Sequence, residues 1–455
     1  MDNYGLISLV PVCIVIITAF LTKRTVEPLL LGGIIGFIIL AKGGFFKAAL
    51  DAMYGVCMDS TTVWCCMMFL LFGAIVGLYE KTGAAIGFSN AASKYAKSEK
   101  SSLFVTWVLG IIVFADDYLN ALAVGVAMRN ITDKYKIPRT FLAYVIASTG
   151  ANVCALIPVA SWAAYMMGLM KGTGIYEGPI MGHYLQVMPF LIYCWVSLLV
   201  VPLVILRIWP KVGPVKKDWQ YALDTGITLP AGIAEVEEKK EELEEITQGM
   251  KRKLVVTFIV PLLVMAIVAI ISGDVLNGII AGLVIEIILI LCFRLMKGQD
   301  LCEACLSGAA DMLTCALIVI SAFFLQAANT QLGMTEFVIE STEHILTPGL
   351  LPFITFVVIS LIAFGSGSFW GTAAIAFPII LPLATTIGAS LPMAAGALIS
   401  GTIVGSQCCF FSDCATIVCT SVGIRNGDYQ KSTLPMFVLP WCLSAILYLV
   451  VGLIF

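Results

Sequence analysis

Runs of about 20 apolar residues recur along the whole chain, and a helix rising 1.5 Å per residue needs about that many to cross a hydrocarbon core. No soluble fold buries so many of them. Of the 455 residues 60% are hydrophobic and 12% charged, against roughly a quarter charged in an ordinary soluble domain. The fold class these runs imply is an all-α polytopic membrane protein. The first run, Gly5 to Leu21, lacks the basic start and small-residue cleavage site of a signal sequence and reads as a retained helix. A net charge of −3 without a basic tail gives no footing for nucleic acid. Most of the 15 cysteines sit inside apolar runs and are expected to be reduced thiols. The Cys302/Cys305 pair has no second pair beside it and reads as one face of a short interfacial helix rather than a zinc site.

A polar segment at 211–253, with Pro214 and the charged stretch Glu235 to Glu245, reads as a solvated cytoplasmic linker between halves of similar size. Domains are expected at 1–210 and 254–455. In the first half, spans at 5–22 and 26–41 lead through an amphipathic stretch to Asp59, a span at 60–80 and Gly83. In the second, spans at 254–271 and 275–296 lead through another such stretch to Asp311, a span at 312–328 and Gly333. Asp59 and Asp311 are read as helix N-caps. At the same interval beyond each glycine stands an apolar segment broken by a polar cluster, Ala115–Asn120 and then Gly365–Phe369. Pro138 and Pro392 follow, then a second broken span, 139–170 and 391–424, and an uninterrupted last span, 184–207 and 434–454.

Counting basic residues gives the topology. If 101–128 and 350–387 are re-entrant hairpins and the N-terminus is outside, Lys23, Arg24, the group from Lys81 to Lys100, Arg129 to Arg139, Arg207 to Lys253, Arg294, Lys297, Arg425 and Lys431 are cytoplasmic. Only Lys42, Lys47 and Lys171 are external. The loop carrying Glu336, Glu340, Glu343 and His344 falls outside, as does the C-terminus. The hairpins then enter from opposite faces. That predicts inverted repeats with about ten transmembrane helices, two hairpins whose tips meet the broken spans near the midplane, and scaffold and transport domains in a bacterial cell membrane.

Carboxylates within a bilayer are costly, roughly 2.5 to 3.5 kcal/mol each on insertion scales, and mark functional sites. Asp116, Asp117 and Asn120 at the first tip are the leading ion and proton ligands, with Ser412 and Asp413 in the second broken span. Two adjacent carboxylates cannot easily both stay ionised in a low dielectric, so one of the pair is expected to exchange a proton. Capping of the helix that starts at Tyr118 accounts for one of them, and a cap at Asp413 competes evenly with ion binding. The pocket is expected from Thr149, Asn152, Ser161 and Trp162 around Pro158, and from Ser366, Ser368, Phe369, Trp370 and Thr372 at the second tip, where oxygen atoms suit a hard cation. Packing between helices is the competing reading for the small residues. Glu286, alone in its span, is assigned a structural role, and no converging set of catalytic side chains points to an enzyme.

FADDYLNALAVG at 114–125, GSGSFWGTAAIAFP at 365–378 and CCFFSDCATI at 408–417 together resemble the signature segments of the NhaC-type sodium/proton antiporter family, over nearly the whole chain. Phe410 and Phe411 stand where family members often carry a Ser-Pro pair, which makes the pocket more apolar. The resemblance implies a dimeric scaffold, a mobile transport domain, sodium and protons as the coupled ions with sodium at Asp116, Asp117 and Asn120, and no organic cofactor. Some members exchange organic acids or amino acids, so a small organic solute is the alternative cargo. Surrounding lipid and a second copy of the chain are the remaining partners expected.

Overall fold

The computed structural model describes residues 4–22, 26–230, 248–272, 274–334, 337, 347–366, 369–409 and 412–454. Among them every regular element is helical. The first half runs α1 (Val10–Thr22), α2 (Val26–Ala41), α3 (Phe45–Met58), α4 (Ser60–Thr82), α5 (Ala84–Ser93), α6 (Glu99–Ile112), α7 (Asp117–Lys134), α8 (Arg139–Leu156), α9 (Ser161–Gly172), α10 (Ile180–Val187) and α11 (Ile192–Ile205), followed by α12 (Pro214–Thr225). The second runs α13 (Gln248–Ser272), α14 (Val275–Phe293), α15 (Gly298–Asp311), α16 (Leu313–Gln331), α17 (Leu351–Ser366), α18 (Phe369–Thr386), α19 (Leu391–Cys408), α20 (Asp413–Val422) and α21 (Asn426–Ile454). Eight helices among the described residues are long and apolar enough to cross a membrane, ten if each of two bent pairs is one span. Phe369–Thr386, read from the sequence as half of a hairpin, is one of the eight.

Local chemistry explains most boundaries. Asp59 caps α4, its Oδ2 accepting from the amides of Thr61 and Thr62 at 2.8 and 3.0 Å. Gly83, at φ 65°, takes the left-handed conformation that closes α4. Ser98 and Ser101 form a reciprocal capping box at the start of α6. Asp311 differs from its expected role. It is the last residue of α15, and Met312 stands at the N-cap of α16 without a side-chain bond. The span at 184–207 is also not uninterrupted: α10 and α11 meet at a 53° bend. Pro189, in the short turn Met188–Phe190 between them, has no N–H to continue a ladder.

The polar segment 211–253 contains more structure than a solvated linker. α12 buries Val215, Trp219 and Ala222. Its Asp218 Oδ2 accepts from Thr140 Oγ1 at 2.8 Å and Ser432 Oγ at 2.6 Å, pinning it to α8 and α21. Burial pushes the Lys211 amine down to about 8, while its Nζ lies 3.1 Å from the centre of the Trp219 ring, a contact that favours the charged form. The stretch Glu235–Glu245 lies outside the described residues, as do Lys23, Arg24, Glu336, Glu340, Glu343 and His344.

The helices pack in two groups. α1 to α4 pack with α13 to α16, and α6 to α9 and α11 pack with α17 to α21; α5, the α4–α9 contact and the α16–α18 contact join them. Several packings in one half have a counterpart in the other. α6, α7 and α8 pack mutually, as do α17, α18 and α19; α2 meets α16 as α14 meets α4. α9 packs on α18, and α20 packs on α7. α9 and α20, the short helices that follow α8 and α19, therefore each lie against a helix of the other half.

Candidate functional site

The first tip forms where α6 stops at Ile112 and α7 starts at Asp117. Four residues of non-helical backbone leave polar groups that must be satisfied inside the protein. Asn120 Nδ2 donates to the carbonyls of Gly110 and Val113 at 2.6 and 2.8 Å, closing the end of α6. The Ala115 carbonyl accepts from the Ser161 amide at 3.0 Å. The Phe114 carbonyl accepts from Cys154 Sγ at 3.1 Å. The hairpin is thus stitched to the break in α8/α9, where the arms meet at 44° around Pro158.

The two aspartates separate cleanly. Asp116 is the N-cap of α7, its Oδ1 accepting from Tyr118 N at 3.0 Å and Leu119 N at 3.2 Å. Asp117 is 0% exposed, and neither of its oxygens has a hydrogen-bond partner among the described residues. Ser161 neighbours Asp116, while Trp162 and Cys414 neighbour Asp117 without completing a bond to it. Asn120 Oδ1, Ser161 Oγ and Ser406 Oγ are likewise buried and unpartnered. Ser406 lies beside Cys414, which brings it to the Asp117 neighbourhood. Buried polar atoms are normally paired, so this concentration of free oxygens at one tip is the chemical signature of the site.

Several expected ligands are turned elsewhere. Thr149 Oγ1 donates back to Val145 and Ile146 carbonyls, and its side chain fills the space left by Gly110 on α6. Asn152 Nδ2 bonds Ser148 O at 2.9 Å and Ser197 Oγ at 3.3 Å, facing α11 rather than α7. Ser412 caps α20, its hydroxyl accepting from Ala415 N and donating to Ser406 O, so the N-cap falls on Ser412 rather than on Asp413. Ser368 and the side chains of Ser366 and Asp413 lie outside the described residues, as do Phe410 and Phe411. Thr372 is buried on α18.

The aromatic residues do converge. Trp162 stacks on Phe369 with centroids 4.6 Å apart and lies 4.9 Å from Trp370. Tyr165 meets Trp370 edge-on at 4.6 Å and donates to its carbonyl at 2.6 Å. Such pairs contribute about 0.5 to 1.5 kcal/mol each beyond area burial. They bind α9 to α18 and cover the Asp117 side of the tip. The sequence reading missed Gln407. Its Oε1 accepts from Tyr193 Oη at 2.6 Å, its Nε2 donates to Ala147 O at 2.6 Å, and its carbonyl accepts from Tyr429 Oη at 2.8 Å. A lone glutamine in an apolar run was its signal. It fastens the two broken spans to each other.

A helical membrane protein with broken spans meeting at a carboxylate-bearing tip belongs to the class of secondary transporters. The model of the Na+/H+ antiporter family matches residues 153–454, and the chain belongs to that family. An uncharacterised protein of Haemophilus influenzae is 24% identical over 98% of this chain and 90% of its own length. The malate-2H+/Na+-lactate antiporter of Bacillus subtilis is 24% identical over 157 residues, 34% of each chain. Among solved structures, the Alcanivorax borkumensis YdaH transporter aligns with a TM-score of 0.63 at 13% identity, over 90% of this chain and 89% of its own. Neisseria gonorrhoeae MtrF aligns at 0.60 and 13%, over 91% and 85%. These likenesses establish the fold of a membrane transporter rather than an enzyme.

Proposed function

We propose that the chain is a sodium-coupled antiporter that exchanges Na+ for H+ by alternating access, with Asp117 binding the two ions in turn. One observation carries the reading: at the tip between α6 and α7 a fully buried carboxylate has no hydrogen bond to either oxygen among the described residues and lies beside further unpartnered oxygens, whereas Glu286, equally buried and unpartnered, stands on α14 away from that tip. An isolated carboxylate in a low dielectric is so costly that a proton or a cation has to accompany it. A single site open to either, but not both, exchanges one for the other. Asn120 Oδ1, Ser161 Oγ and Ser406 Oγ would supply the neutral oxygens that a hard cation prefers. Asp116 is held in its cap and contributes negative charge beside the site; Asp413, at the start of α20, is the second carboxylate of the proposed set.

The matching contacts of the two halves support an inverted repeat. In this reading α1 to α4 and α13 to α16 are the scaffold that meets a second copy of the chain. The hairpins and broken spans move against it in the cell membrane, with both termini outside. The Bacillus relative carries both coupling ions in its name, which favours joint sodium and proton coupling. The same name supports a second reading, transport of an organic carboxylate; a cavity of about 630 Å³ between α3, α4, α9 and α16 offers Lys171, Thr61 and Gln326, with Asp59 as an opposing charge.

The test is a sodium pulse applied to proteoliposomes loaded with a pH-sensitive dye. The lumen is expected to change pH only when active protein is present. Sodium-dependent uptake of lactate or malate with no pH response would replace the first reading by the second.

A further inference from the structure

We propose that a cavity of about 630 Å³ where the ends of α4, α14 and α15 meet is a binding site for the phosphate headgroup of an anionic phospholipid. It lies within the group of α1 to α4 and α13 to α16. Lys81, Arg294 and Lys297 line it, against the single carboxylate of Asp300. None of the three cations has an ion pair or a side-chain hydrogen bond among the described residues. Lys81 also lines a second cavity with Glu80 and Glu303, neither of which lines the first.

Two further features belong to the same place. α15 begins at Gly298 with Lys297 as its N-cap and no side chain accepting from its first turn. That leaves free amides facing outward at the positive end of a helix, where phosphate is readily held. Arg294 ends α14 at φ 55°, a left-handed conformation that glycine adopts without strain and a β-carbon resists. An arginine held there places a guanidinium at the rim of the cavity. The negative end of α14 explains one cation at this point. It does not explain three cations converging with an uncapped helix start.

The apolar part of the ligand has a surface as well. Ile280, Val284, Ile288 and Leu291 are each 43 to 49% exposed along one face of α14. Leu291 and Leu295 then line the cavity itself. A headgroup seated among the cations would lay its acyl chains down this stripe. An inorganic phosphate would engage only the polar end. Basic pockets between helix ends at the membrane surface recognise anionic headgroups in this way.

Detergent-purified protein is melted with added phosphatidylglycerol, with phosphatidylcholine and with inorganic phosphate. Phosphatidylglycerol alone is expected to raise the melting temperature. The triple variant Lys81→Gln/Arg294→Gln/Lys297→Gln is expected to need about a hundredfold more of it for half the effect, at about fivefold per cation. Arg294→Gly guards against misfolding of the triple variant. It relieves the left-handed strain, so it should melt no lower than the parent without lipid, yet need about fivefold more phosphatidylglycerol. Equal shifts with phosphatidylcholine, equal shifts with inorganic phosphate, or unchanged lipid dependence in Arg294→Gly would each overturn the proposal.

Discussion

Replacing each member of the Asp116–Asp117 pair by asparagine should separate stability from exchange. Asparagine is as good an N-cap as aspartate, so Asp116→Asn should preserve the two bonds to Tyr118 N and Leu119 N and change stability by only a few tenths of a kcal/mol, whereas Asp116→Ala should cost about 1 to 2 kcal/mol. Asp117 makes no such bonds. A buried acceptor left unsatisfied costs about 1 to 3 kcal/mol, more when charged. In sodium-free buffer at neutral pH a proton accompanies Asp117 in this reading, so Asp117→Asn replaces one buried neutral polar group by another and should change stability by no more than about 1 kcal/mol. Thermal melting of the purified variants in sodium-free buffer at neutral pH reads the first quantity, and sodium-driven pH change in proteoliposomes reads the second. The expected pattern is Asp116→Asn folded with measurable exchange, and Asp117→Asn folded at near-parent stability with none. An Asp117→Asn variant that still exchanges would refute the assignment.

Three other outcomes follow from the packing. Asn120→Ala removes two bonds that close the first hairpin and should cost about 1 to 3 kcal/mol in melting experiments, with a loss of exchange that Asp116→Asn does not show. Gly308→Leu should prevent folding or destabilise strongly, since a β-carbon there would run into the backbone of Gly73 and Gly77 on α4; expression and size-exclusion profiles read it. Lys211, with its amine near 8 in the folded protein against an ordinary 10.5, binds fewer protons folded than unfolded between those values, so its contribution makes stability rise with pH across that window. Lys211→Met should remove that rise from the melting profile.

Much of this was legible because lipid leaves a chain few choices. Apolar length located most spans, and Asp59, Pro138 and the polar clusters marked where helices had to begin or break. What the sequence could not give was which of two competent groups would take a local bond. Asp116 and Asp117 are chemically identical, and only the backbone direction after Ala115 decides which one caps α7. Asp311 and Asp59 occupy equivalent places in the pattern, yet α15 runs on through Asp311. Thr149 and Asn152 sit in a broken span as ligands would, but helical phase turns Asn152 toward Ser197 and Thr149 toward Gly110. The order in α12 was hidden because its anchors, Thr140 and Ser432, come from distant parts of the chain.

The central claim is that sodium and a proton compete for Asp117, and equilibrium binding of radioactive sodium to the purified protein at a series of pH values tests it most directly. One-for-one competition predicts that the apparent sodium Kd rises about tenfold for each unit the pH falls in the range where the proton wins, and that Asp117→Asn binds no sodium at this site. Sodium binding that is independent of pH, or that survives in Asp117→Asn, would contradict it.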